Sequence, residues 1–171
     1  MPLPLYEISV PALRRGLTNL SHILNKAADD AAARQIDPAA LLHMRLYPDM
    51  HPMVRHAQYV TDGARNGAGK LAGIAVTDFP YTETSFAQLQ DRIQRSLLYI
   101  ESVPAAQIDN SEERKIDQVV RGTPQVFSAR SYLMGFVLPN LYFHSTVVYS
   151  LLRHCGVPLG KRDFLGSIES Q

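Results

Sequence analysis

Apolar residues recur at helical spacing in four long stretches of the chain. Over residues 10–28, Leu13, Leu17, Leu20, Leu24 and Ala27 share a face with Ile23 beside them, while Arg14, Thr18, Asn25 and Asp29 fall elsewhere. This period predicts an amphipathic helix, with Ser9 as its N-cap and Pro11 in the first turn, where a missing N–H is unpaired in any case. A second helix is predicted from about Pro52 to Leu71 on Met53, Ala57, Val60, Ala64 and Leu71. Gly63 and Gly67 lie beside that stripe and weaken the helix unless a neighbour packs close, and Gly73 ends it. A third starts near Thr84 or Ser85, where Ser85 and Gln88 have capping-box spacing. It carries Phe86, Leu89, Ile93, Leu97 and Ile100 and stops at Pro104. The last runs from Ser131 to Cys155, with Gly156 where a left-handed cap is wanted and Pro158 blocking continuation.

The connections are polar. Asp37-Pro38 can open a short helical turn, and Pro48 and Pro52 punctuate the crossing to the second helix. "VTDFPYTETS" links the second and third helices, and "KIDQVVRGTPQVFS" reads as two short extended pieces around Gly122. The prediction is an all-α fold: an antiparallel four-helix bundle with a short hairpin-like insertion before the last helix, in one domain over residues 1–171.

Composition narrows the function classes. With 46% hydrophobic and 19% charged residues the chain is globular, and its 171 residues suffice for a core without staples. Its 17 basic residues face 16 acidic ones, which argues against a broad phosphate-binding surface and so against a nucleic-acid partner. Arg14-Arg15 and Lys161-Arg162 are read as solvated surface. Cys155 is the only cysteine, so no internal disulfide forms, and its place in an apolar helix points to packing. There is no basic-then-apolar leader at Met1 and no apolar run long enough to span a bilayer. The expectation is a cytoplasmic protein without a membrane partner.

The last helix poses the chemical question. "FVLPNLYFHSTVVYSLLRHCGVP" is apolar almost all round, yet it holds Asn140 and His144 one turn apart. Pro139 supplies no N–H to the Gly135 carbonyl, so a kink is expected there. Buried Asn and His side chains need partners, because an unsatisfied polar group costs about 1–3 kcal/mol. On the residues alone, Asn140 bonds the freed Gly135 carbonyl and His144 a tyrosine or backbone group. Alternatively, the two line a site. Elsewhere, His154 suits a helix C-terminus, Asp49 reads as a helix cap, and His22 and His43 have no partner at a suggestive spacing. Gly160-Lys161 lacks the glycine spacing of a phosphate loop. Leu159, Phe164 and Leu165 are expected to fold back over the bundle or meet a second subunit.

The pieces "LHMRLYPDM", "KLAG" and "LPNLYFHSTVVYSLLRHCGVPLGKRDFLG", with the spacing between them, resemble a bacterial and fungal domain family of unknown function. That family is placed in the DinB-like (DinB/YfiT) superfamily of four-helix bundles. The resemblance covers essentially the whole chain. Superfamily members with a metal centre use one histidine on the second helix and a His-x-x-x-His pair on the last. By this resemblance His144 matches the second histidine of the pair, Asn140 stands where the first would be, and His56 is the second-helix ligand. His51 is a weaker choice. Tyr142 and Tyr149 are read as packing residues whose hydroxyls can reach the cavity.

Zinc and nickel prefer imidazole to a neutral amide, so a set of His56, Asn140 and His144 implies a degenerate metal site. The reading is a ligand-binding or structural protein, homodimeric, with a small polar cavity between the second and last helices for an unknown small molecule. The alternative is a metal-dependent enzyme like the superfamily's thiol S-transferases.

Overall fold

The computed structural model describes residues 3–111 and 113–167, so both ends of the domain expected over residues 1–171 lie outside it. Helix α1 spans Leu5–Ala33, longer at both ends than the apolar stripe predicts. Ser9 is therefore inside the helix, its hydroxyl donating to the Tyr6 carbonyl rather than capping. The helix start is held from outside instead: the Tyr6 N–H donates to Asp109 Oδ1 at 2.8 Å. Buried Leu5, Ser9 and Val10 extend the stripe N-terminally, and Pro11 sits on an exposed position where the freed carbonyl faces water.

After a short α2 (Pro38–Leu42, capped by Asp37), α3 spans Met53–Ala72 and ends at Gly73 with φ 71°. Its five predicted core residues are fully buried. No side chain caps its start, so Asp49 does not cap it; the Met53 N–H donates to the Met44 carbonyl at 2.8 Å. Helix α4 (Phe86–Ser102) begins at Ser85, whose hydroxyl accepts from the Gln88 N–H as the capping spacing predicts. A one-turn α5 (Ala105–Asp109) leads to the antiparallel strands β1 (Lys115–Val120) and β2 (Thr123–Ser128). Arg121 and Gly122 turn the hairpin with φ of 51° and 78°, both in the left-handed region a two-residue turn demands. The fold is thus a helical bundle carrying a two-stranded sheet, which corrects a strictly all-α reading.

The last helix comes in three parts: α6 (Ala129–Tyr132), a π-turn over Leu133–Val137, and α7 (Leu138–His154). The π-turn comes just ahead of Pro139, where the α-helical ladder would lose the Gly135 bond. The Leu138 N–H reaches back five residues to the Leu133 carbonyl. The Asn140 side chain donates to the carbonyl of Phe136, one residue on from the expected Gly135, at 2.6 Å. Gly156, with φ 90°, ends the helix. The tail folds back through α8 (Lys161–Leu165). There Asp163 accepts from the Gly160 N–H, His22 and Lys26, and Phe164 packs edge-on to Tyr149. His22 therefore has the partner that sequence spacing did not reveal.

Helix directions follow from the contacts. His56 meets His144 and Gly67 meets Val137, so α3 and α7 run antiparallel. Tyr6 meets Asp109 and Ser21 meets Gln90, so α1 and the α4–α5 segment do too. Gln58 meets Glu83, Thr61 meets Arg92, and Gly69 faces Tyr99: α3 and α4 run the same way. Gly16 faces Leu141 and Arg34 meets Cys155, so α1 and α7 are parallel. The order is up-down-down-up, and the segment between Gly73 and Ser85 is a crossover that returns along the bundle.

Arg92 pins that crossover. Its side chain is fully buried, and its nitrogens donate to Thr61 Oγ1, the Pro80 carbonyl, Glu83 and Asp62 at 2.7–2.9 Å. Arg65 adds a bond to the Thr77 carbonyl and lies 3.4 Å from the centroid of Phe79. No helix among the described residues is long and apolar enough to cross a membrane.

Candidate functional site

Two helices that run antiparallel at close range bring one histidine from each together. The approach is set by small residues on α3: at Gly67 a Cβ would stand 2.6 Å from Val137 Cγ1, so only glycine lets α7 come this near. Towards the N-terminal end of α3, His56 Nδ1 and His144 Nδ1 are 2.9 Å apart, one ring donating to the other. His56 is 2% exposed. Its Nε2 is buried with no hydrogen-bond partner among the described residues.

A second ring of residues closes around the pair. Tyr59 packs 5.1 Å from the His144 ring, and its hydroxyl lies 3.3 Å from His51 Nε2. His51, which is exposed, stands edge-on to His56 at 6.4 Å. Phe143, 54% exposed, covers both paired rings at 5.2 and 6.3 Å. Arg55 lies over the Tyr81 ring at 3.8 Å, beside Tyr59. None of Tyr59, Tyr81 or Arg55 is singled out by spacing. The only signal is that Arg55 and Tyr59 are four apart on α3 and flank His56.

Burial keeps the pair uncharged. It lowers His144 from 6.5 to about 4, with the neighbouring charges of His56 and His51 acting the same way. His56 is lowered by burial and then by the neighbouring His51. A transition metal binds neutral imidazole, so the only proton that would have to move is the one shared between the two Nδ1 atoms, by a change of tautomer on the donating ring. Elsewhere, burial pushes the Cys155 thiol up, in keeping with packing rather than nucleophilic work.

The other expected site residues lie apart from the pair. Asn140 lines a pocket of about 230 Å³ with Gly63, Asn66 and Lys70. Tyr142 is 45% exposed and lines a groove of about 1100 Å³ between α1 and the last helix, while Tyr149 packs on Phe164. The groove is the larger of the two, and the histidine pair lines neither. Among the described residues no group of three or more His, Cys, Asp or Glu side chains is disposed to hold a metal ion.

The donor pair fits a divalent cation all the same. Nitrogens about 2.0–2.1 Å from one cation are about 2.9 Å apart at a right angle and about 3.3 Å apart at the tetrahedral angle. The observed Nδ1 separation of 2.9 Å is in that range. What the arrangement lacks is a third strong donor in place.

No curated protein matches the chain. Residues 5–165 match the model of a family described as Domain of unknown function (DUF1993). The chain is also 32% identical to a DinB family member protein from Shewanella denitrificans whose crystal structure is known. That match has a TM-score of 0.91 and covers 98% of this chain and 94% of the other. The family match over residues 5–165 and the structural match over nearly the whole of both chains agree, and the chain belongs to the DUF1993 family within the DinB-like superfamily.

Proposed function

We propose that this DinB-like bundle is a ligand-binding protein whose working element is the His56–His144 pair, and that the pair takes up a divalent transition metal, zinc or nickel, weakly. The observation that carries this reading is the 2.9 Å approach of a buried and a half-buried imidazole, each held neutral by its surroundings. A chain that needed only a packed core would gain by replacing them, because the buried His56 Nε2 is left without a partner. Weakness follows from the third position: Asn140, which stands where the superfamily resemblance puts a histidine, spends its amide on the Phe136 carbonyl. Metal held there would leave open positions and would lower the pKa of a coordinated water or thiol.

One observation favours the catalytic alternative, a metal-dependent enzyme resembling thiol S-transferases. His51 is exposed and gives up only the Tyr59 contact to turn towards the pair, which would supply a third nitrogen. Calorimetric titration of untagged protein with zinc or nickel separates the readings. His144→Ala should abolish binding, on either reading. Loss on His51→Ala supports the three-nitrogen enzyme, and no change supports the two-nitrogen binding protein. If His144→Ala binds the metal as tightly as the parent, the site assignment fails.

The proposal includes a homodimer. Met134, Leu138 and Tyr142, four apart along the outer side of the last helix, form an apolar strip in the groove beside α1 that suits a second copy. A monomer in light scattering removes this part.

A further inference from the structure

The pocket around Asn140 has features that packing does not account for. Gly63 lies on α3 with nothing within 4 Å of where its Cβ would be, unlike Gly67, which Val137 presses upon. A glycine inside a helix costs roughly 1 kcal/mol against alanine, and here no neighbour in the chain requires it. The opposite wall is the π-turn, a feature frequent at functional sites. Behind it, Tyr132 is 1% exposed, yet its hydroxyl makes no side-chain bond to another described residue. Burial pushes that hydroxyl up to about 12, so it stays a donor at neutral pH.

The polar atoms here have unused capacity of a definite kind. Lys70 Nζ donates to the Asp117 carbonyl and to Gln118 Oε1 at 2.9 and 2.8 Å, leaving one of its three N–H groups free. The Asn66 side chain has no bond to a described residue. Asn140 has given its N–H to Phe136, so its Oδ1 remains as an acceptor. No acidic residue lines the pocket. Three donors, one of them cationic, face an acceptor. The volume of about 230 Å³ matches roughly eight waters at about 30 Å³ each.

We propose that this pocket is a second, metal-independent site for a small carboxylate with a neighbouring hydroxyl group. The carboxylate accepts from Lys70, Tyr132 and Asn66, and the hydroxyl donates to Asn140 Oδ1. Charge-assisted bonds from Lys70 supply most of the affinity, and the Asn140 acceptor selects against anions that lack a donor.

The test is titration of isotope-labelled protein with L-lactate, acetate and inorganic phosphate, read from the side-chain amide signals of Asn66, Gln118 and Asn140. L-lactate should shift them saturably and bind more tightly than acetate. Lys70→Gln should weaken lactate binding about tenfold or more. Gly63→Leu, which fills open space and adds a better helix former, should abolish binding while the fold persists. His144→Ala should leave the lactate response intact. No saturable shift with any of the three probes overturns the site. Tighter binding of phosphate than lactate overturns the carboxylate assignment, and loss of the response in His144→Ala overturns its independence from the histidine pair.

Discussion

Burial holds His56 and His144 neutral at acid pH values where both would be charged in water. The unfolded chain takes a proton on each imidazole below its ordinary value of 6.5, whereas folded His144 resists until about 4 and folded His56 is lowered as well. Between those values the unfolded state binds more protons, so stability must fall as pH falls through the window. Above 6.5 both states are neutral and the pair contributes no pH dependence. His144→Gln, which keeps a polar side chain without a titrating group, should flatten the decline of the urea midpoint between pH 6.5 and 4. A decline of unchanged steepness would contradict the assignment. His144 and Asn140 were legible in the sequence as polar residues in an apolar helix, and His56 only through the family resemblance. Asn140's partner was missed by one residue, because spacing alone does not reveal a π-turn. His51 and Tyr59 stayed in the background because their nearness to His144 is a product of packing between helices.

Among the elements, the four long helices were plain in the sequence because each carries a continuous apolar stripe, and Gly73, Ser85 and Gly156 mark their ends as the backbone requires. The direction of α4 was not plain. A connection from Gly73 to Ser85 is long enough either to turn or to cross over, and periodicity is blind to the choice. What settles it is the Arg92 network, whose members are polar residues at inward positions: Thr61, Asp62 and Arg65 on α3, Arg92 itself, and Glu83 on the crossover. Removing the fully buried arginine at the centre of this charge set leaves its partners uncompensated. Arg92→Met should therefore destabilise the protein by about 3–5 kcal/mol in chemical denaturation. A cost below about 1 kcal/mol, the range of an exposed ion pair, would mean the crossover is not held there.

At the scale of the whole molecule, the up-down-down-up order makes α3 and α7 antiparallel neighbours and brings together two histidines 88 residues apart in the chain. The crossover reaches that seam at Tyr81, which packs edge-on against Tyr59. Phe143 and Tyr59 shield its mouth, and Arg55 and Tyr81 stand beside it. The account rests on this seam being a place where something binds. Crystals of the untagged protein soaked in a zinc salt, with diffraction recorded on both sides of the zinc absorption edge, test that most directly. The account predicts an anomalous peak about 2.0–2.1 Å from Nδ1 of both His56 and His144. It is contradicted if the two rings remain hydrogen-bonded to each other and zinc is absent from the seam or found only elsewhere.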